Sequence, residues 1–382
     1  MDPFVFETSP NIICAPGALR EVPDGVSDLL GPRILLITDR GVRAAGLTDS
    51  LERQLSAAGT LTVFDEVEAD PSRATVEAAL RQAQDSDATG VLGVGGGSPI
   101  DVAKVVALLK GSDQPMDGMW GVRQAIGPRL PLVLAPTTAG TGSEVTPVAI
   151  ITVGEDEKKG IVSPHCLPDM AVLDPESTLG LPPATTAATG IDAMVHAIEA
   201  YTSRSPNANP VSRGLACQAL QLLGAHIHLA VNSPENLEAR AGMLLGSMLA
   251  GQAFANAPVA AVHALAYPIG GRFHVPHGLS NALVLAEVMR FNLAEAKDEY
   301  AALAPLAFAD LAQARDPALA FIDRLETLSP AFGLPSKLRD LSIPHGACAE
   351  MAQAAMAQTR LLVNNPRPVR EEDAKAIYEA VW

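Results

Sequence analysis

The stretch Gly90-Val91-Leu92-Gly93-Val94-Gly95-Gly96-Gly97-Ser98-Pro99-Ile100-Asp101 decides the fold class of this chain. Residues 90–94 form an apolar run of strand length, and residues 101–110 continue at helical spacing. Between them, three consecutive glycines let backbone approach a ligand with no Cβ in the way. A glycine turn that opens a helix leaves N–H groups facing an anion, the arrangement that holds a pyrophosphate. The turn is not GxGxxG, and on these residues alone an ordinary glycine turn is the alternative.

Outward from this turn, three more β-rich runs alternate with helical patterns: residues 33–38 (RILLIT), 61–64 (LTVF) and 132–135 (LVLA), with an amphipathic helix across 74–84. Strands alternating with helices predict a doubly wound, mainly parallel sheet. From about Pro183 alanine-rich helical segments take over, and LPPATT at 181–186 breaks the pattern. The expectation is an α/β domain over 1–183 and an all-helical domain over 184–382, with no internal repeat.

Asp39, at the end of the first run, is placed to accept from a ribose 2′-hydroxyl and repel a 2′-phosphate, favouring NAD over NADP. The alternative is a carboxylate that only caps the next turn. The loop 136–147, PTTAGTGSEVTP, offers Thr138, Thr141 and Ser143 beyond the carboxyl end of a strand, where ligands bind in open α/β sheets. A structural loop with Ser/Thr turns is the alternative. Lys158 or Lys159 would then reach a ribose or phosphate, or remain solvated.

In the second half, residues 190–201 (GIDAMVHAIEAY) read as a helix with Asp192 and His196 one turn apart on one face. A carboxylate and an imidazole so placed can share a divalent metal, or simply a surface hydrogen bond. His263 lies in an apolar run, VHALAYP, where a lone histidine can equally be a satisfied core residue. Those surroundings disfavour its charged form, however, and neutral imidazole is what a metal needs. With His277 in FHVPHG the set becomes three nitrogens and one oxygen, which suits Fe²⁺ and Zn²⁺ alike. His165, His226, His228 and His345 fall outside these clusters and are read as structural.

The composition bounds the function. The chain has 382 residues, 48% hydrophobic and 18% charged, enough for two globular domains. The net charge of −16, from 43 acidic and 27 basic residues, argues against nucleic acid or an anionic membrane as partner. Four cysteines without CxxC spacing point to buried, reduced thiols. The N-terminal MDPFVFETSP lacks the features of a signal peptide, and no apolar stretch looks long and uninterrupted enough to span a membrane. A cytoplasmic location is expected.

Five segments then carry a resemblance: GGGSPID, PTTAGTGSEVT, GIDAMVHAIEAYTSRSPNANP, HALAYPIGGRFHVPHGLSNA and the closing NNPRPVREEDAKAIYEAVW. In this order they resemble the iron-containing (group III) alcohol dehydrogenase family, nearly end to end. The resemblance implies the dehydroquinate synthase-like architecture, a dinucleotide-binding domain followed by an all-helical domain with the site in the cleft between. It puts Asp192, His196, His263 and His277 on the metal ligands, with iron as the metal. Gly95, Gly96, Gly97 and Ser98 fall on the pyrophosphate turn, Thr138 and Thr141 on the nicotinamide-side loop, and Asp39 on the adenosine-ribose acid. Asp70 and Lys158 match cofactor contacts less closely, since many members have Asn where Asp70 stands. Several members carry a histidine where Tyr267 stands, a residue assigned to proton relay or nicotinamide contact; Tyr267 or the nearby His274 is expected to take that place.

The implied activity is NAD-linked, metal-dependent interconversion of a small primary alcohol or diol with its aldehyde, hydride passing between the carbinol carbon and the nicotinamide. A homodimer or larger homo-oligomer is implied as well. Val148 and Phe254 suggest an apolar substrate pocket. Polyol, sugar-phosphate, dehydroquinate synthase-like and maleylacetate reductase activities share the architecture. The phosphorylated or dicarboxylate substrates among them would want basic residues near the metal, and only Arg204 and Arg272 are close in sequence. A catalytically idle NAD- or metal-binding regulator is the alternative from another class.

Overall fold

Leu35 and Ile37 pack with Val91, Leu132 and Leu134, whereas Ile34 and Leu36 pack with Leu92, Val94, Val133 and Ala135. This alternation, apolar on both sides, is that of strands buried on two faces. In the computed structural model, which describes residues 3–21, 25–112, 114–154 and 157–382, these residues lie at the centre of a parallel sheet. Its strands are β1 (Asn11–Cys14), β2 (Arg33–Ile37), β3 (Thr60–Phe64), β4 (Gly90–Gly95), β6 (Leu132–Pro136) and β9 (Met170–Leu173), in the order β1-β9-β6-β4-β2-β3. A smaller sheet holds β5 (Gly121–Val122), β7 (Val148–Val153) and β8 (Glu157–Val162), with β7 antiparallel to β8. The sequence reading does not anticipate that hairpin.

From β2 the chain moves outward to β3, then returns to place β4 on the other side of β2. The order of connection therefore reverses between β2 and β4, and the crevice beyond their carboxyl ends is where such sheets bind ligands. The helix after β4 runs Gly97–Gly111, so it opens inside the glycine turn, four residues earlier than its spacing predicts. It lies close on the sheet: a Cβ at Gly93 would sit 2.7 Å from Ala103 Cβ and 2.8 Å from Leu134 Cδ2.

The described chain forms two units, Glu7–Gly180 and, together with residues 3–6, Leu181–Trp382. The N-terminal segment joins the second unit because Val5 N donates to Asn207 Oδ1 and Asn207 Nδ2 donates to Val5 O, both at 2.9 Å. The second unit is helical; its longer helices are Pro183–Thr202, Pro210–Asn232, Leu237–Asn256, Ala261–Phe273, His277–Ala307 and Pro317–Ala331. The Pro210–Asn232 helix starts at a capping box between Asn209 and Ser212, with Pro210 at its first position. By length and composition alone this helix could cross a membrane, contrary to the sequence expectation. Its buried residues Ser212, Ala216, Ala219, Leu220, Leu223 and Ile227 form a one-sided stripe, the pattern of a helix packed in a bundle. The four cysteines are free; Cys166 and Cys348 are buried, but Cys14 is exposed because it ends the edge strand β1.

Candidate metal centre and cofactor cradle

The Pro183–Thr202 helix carries Asp192, His196 and Glu199 at spacings of four and three residues, so all three project from one face. That face is inside the protein, with Asp192, His196 and Glu199 each no more than 5% exposed. Opposite lies the start of the Ala261–Phe273 helix with His263, and the start of the His277–Ala307 helix with His277. Gly278 permits the approach: a Cβ there would fall 2.5 Å from Ala188 O. Asp192, His196, His263 and His277 come together as a result, each offering one ligand atom within 4.8 Å of the others.

The surroundings define the chemistry of these atoms. Glu199 Oε2 lies 2.7 Å from His263 Nδ1, which assigns the proton to that nitrogen and leaves Nε2 as a bare lone pair. This Nε2 is 3.0 Å from His196 Nε2 and 3.8 Å from Asp192 Oδ1; His277 Nε2 is also 3.8 Å from Asp192 Oδ1. Asn281 Nδ2 donates to Asp192 Oδ1 at 2.6 Å and stands 3.2 Å from His277 Nε2. Asn281 Oδ1 is buried without a hydrogen-bond partner. Burial pushes the Asp192 carboxyl up, but His196, His277, His263 and the Asn281 amide together hold it below its ordinary range. The cluster thus gathers three ring nitrogens and one carboxylate, all of them metal-ligand types. Ligands of a tetrahedral ion with bonds of about 2.0–2.1 Å stand about 3.3 Å apart, so a divalent metal fits this donor set.

Two groups here were missed by the sequence reading. Glu199 follows His196 by three residues and Asn281 follows His277 by four, so helical spacing from the ligands was the available signal. Phe254 stacks on the His196 ring at 4.4 Å between centroids. Tyr267, one turn beyond His263, tilts against His277 with centroids 6.1 Å apart. His274 is exposed, ends its helix in the left-handed conformation at φ 53°, and is not part of the four-residue cluster.

In the sheet unit, Asp39 caps the Arg40–Ala44 helix, accepting from Val42 N at 2.9 Å. It also lines a cavity of about 630 Å³ with Gly41, Glu66, Glu68, Gly97 and Ser98, over the β2/β4 switch point. Gly96 has no side chain to cap the Gly97–Gly111 helix, which leaves the N–H groups of Gly97 and Ser98, two residues that line this space, without a side-chain cap. Thr138 and Thr141 stand beside the turn: a Cβ at Gly96 would be 3.6 Å from Thr138 Cγ2, and one at Gly97 3.0 Å from Thr141 Cγ2. Gly95 closes β4 just before them. Asp70 and Lys158 instead pair with each other at 2.6 Å, Asp70 in the left-handed region at φ 53°, and neither lines the cavity.

Behind the cradle is a second buried polar group. Lys104 Nζ, fully buried, donates to Ser143 Oγ and Val148 O at 2.7 Å and to Thr146 O at 3.1 Å. Asp101 accepts from Ser143 Oγ at 2.6 Å and from Ile150 N at 2.9 Å. Burial draws Lys104 down and Asp101 up, each opposed by the other's charge. The knot fastens the cradle helix to the loop that carries Thr138 and Thr141.

The sequence model described as "Iron-containing alcohol dehydrogenase" matches residues 9–175, and that described as "Fe-containing alcohol dehydrogenase family, C-terminal" matches residues 186–382. The chain is 39% identical to "Long-chain-alcohol dehydrogenase 1" of Geobacillus thermodenitrificans (strain NG80-2) over 372 residues, covering 96% of this chain and 93% of that protein. The crystal structure of a 1,3-propanediol oxidoreductase superposes with TM-score 0.94 at 34% identity, covering 100% of both chains. Sulfoacetaldehyde reductase from Bifidobacterium kashiwanohense, crystallised in complex with NAD⁺, superposes with TM-score 0.87 at 27% identity, covering 100% of this chain and 99% of that one.

Proposed function

We propose that this chain, which belongs to the iron-containing alcohol dehydrogenase family, is a nicotinamide-linked, metal-dependent dehydrogenase of small neutral primary alcohols and diols. The observation that carries the reading is the convergence of three imidazoles and one carboxylate, all within 4.8 Å. Asp192, His196, His263 and His277 would hold the metal, iron from the family resemblance, with zinc equally compatible with the donors. When bound, the metal supplies a Lewis acid for the alcohol or carbonyl oxygen, and the nicotinamide accepts or returns the hydride.

The chain's own residues bind and orient. Gly96, Gly97 and Ser98 offer backbone N–H groups to a pyrophosphate, and Thr138 and Thr141 flank that turn. Asp39, Asp65, Glu66 and Glu68 make the cavity wall acidic, while Arg40, the cation nearest Asp39 in sequence, is paired with Glu66 at 3.0 Å. An acidic wall disfavours a 2′-phosphate and supports NAD over NADP. Phe254 covers one face of His196 and keeps water from it. Tyr267, whose ring meets His277, is the residue we assign to orient the substrate oxygen, ahead of the exposed His274. A neutral substrate is supported by the two arginines closest in sequence to the metal-bearing segments: Arg204 is bound to Glu299 and Arg272 to Glu350.

The test is metal analysis of anaerobically purified protein together with NAD⁺ and NADP⁺ reduction on a panel of alcohols, diols and anionic alcohols, including the Tyr267→Phe variant. About one metal per chain, turnover of neutral alcohols with NAD⁺ that chelation removes, and slower turnover in the variant are expected. Turnover that survives metal removal would overturn the reading.

A further inference from the structure

Glu199 is buried and makes two short contacts to the Ala261–Phe273 helix: Oε1 accepts from Val262 N and Oε2 from His263 Nδ1, each at 2.7 Å. Both donors lie in the first turn of the Ala261–Phe273 helix, whose own cap position is Ala260, with no side-chain group to accept. We propose that Glu199 is the positioning residue of the metal centre, fixing the tautomer and ring orientation of His263 and balancing the charge of the ion, so that metal retention depends on its carboxylate. The proposal rests on the metal-site reading above.

The argument is one of donors and acceptors. Two N–H groups from adjacent residues point at one side chain, and only a carboxylate accepts from both. A glutamine at this position has one acceptor and one NH₂. Whichever way the amide turns, a donor faces either Val262 N–H or His263 Nδ1–H. If the NH₂ faces His263, the imidazole proton must move to Nε2, which removes the lone pair that faces His196 and Asp192. The isosteric substitution is therefore the damaging one.

Charge leads to the same residue. A divalent cation inside the protein needs compensation. Asp192 supplies one negative charge and Glu199 a second, which together offset the ion.

Metal-free Glu199→Gln protein is to be titrated with Zn²⁺ against a chromophoric chelator, beside wild type, with thermal unfolding of both metal-free proteins as the control for folding. Affinity about 10–100-fold weaker than wild type is expected, with similar metal-free unfolding temperatures. Wild-type affinity in the variant overturns the proposal. Should the variant fold poorly, ¹⁵N NMR of histidine-labelled wild-type protein decides independently: His263 is expected with its proton on Nδ1, and a proton on Nε2 in the metal-free protein overturns the proposal. If wild type itself takes up no Zn²⁺, the metal-site reading has failed, and the tautomer still reports on Glu199.

Discussion

Two buried polar clusters, one in each unit, look alike in composition and differ in balance. Around Lys104, every short contact joins a donor to an acceptor: the ammonium meets Ser143 Oγ and the Thr146 and Val148 carbonyls, and Asp101 takes the Ser143 hydroxyl and Ile150 N–H. The knot is complete within the protein. Around Asp192, three imidazole nitrogens and a carboxylate crowd together across 3.0–3.8 Å, and the Asn281 amide donates to the carboxylate at 2.6 Å. What separates a binding centre from a structural one is thus the convergence of ligand-type atoms on one point, more than the number of charged residues out of water.

The sharpest way to break this contrast is to remove one member from each side. His277→Ala should lose the metal on dialysis, with affinity down by more than about 100-fold and turnover lost with it, while the fold persists. Metal analysis and circular dichroism read this directly; full metal content would mean that the open cluster is not the centre. Lys104→Met should do the opposite. It strands Asp101 and three acceptors in the interior at a cost of about 3–5 kcal/mol, measured by urea unfolding, and leaves the metal content unchanged. A variant as stable as wild type would show the knot to be less closed than its distances imply.

A smaller effect sharpens the comparison within the sheet unit. Glu144 is buried, and burial pushes its carboxyl up to about 7 from 4.5, against the pull of its own backbone N–H and of Lys104. The folded protein then keeps a proton that the unfolded chain releases above its lower pKa. Stability from this group is full at acid pH and is lost as pH rises toward and past 7. Glu144→Gln has no such loss, so its stability relative to wild type should improve by up to about 3 kcal/mol between pH 4.5 and 8. Guanidinium unfolding at the two pH values tests this, and an unchanged difference would show Glu144 to titrate normally.

The legibility of these parts in the sequence follows from the range of their interactions. The strands at 33–37 and 90–95 and the glycine turn are written locally, in apolar runs and in the absence of Cβ atoms. Asp192 and His196 are legible as a pair because a helix places them one turn apart. His263 and His277 come from distant segments, and it is the family resemblance that joins them to the pair. Glu199 and Asn281 were not found, since a Glu or Asn on a helix reads as ordinary until its partner is known. Lys104 was hidden for a different reason: its acceptors include backbone carbonyls some forty residues away, which no side-chain pattern encodes. Asp39 shows the capping reading weighed for it, and it also lines the cavity.

The clasp between Val5 and Asn207 has a consequence for how the chain is threaded. Residues 3–6 belong with Leu181–Trp382, so the described chain leaves that unit for residues 7–180 and then returns to it. The sheet unit is an insertion within its partner, and any excision at residue 183 would strip the helical unit of a piece of itself. Closing such a long excursion is still cheap in entropy, because each doubling of a loop adds only about 0.6 kcal/mol. The Val5–Asn207 pair thus joins segments of the helical unit that are some two hundred residues apart in sequence.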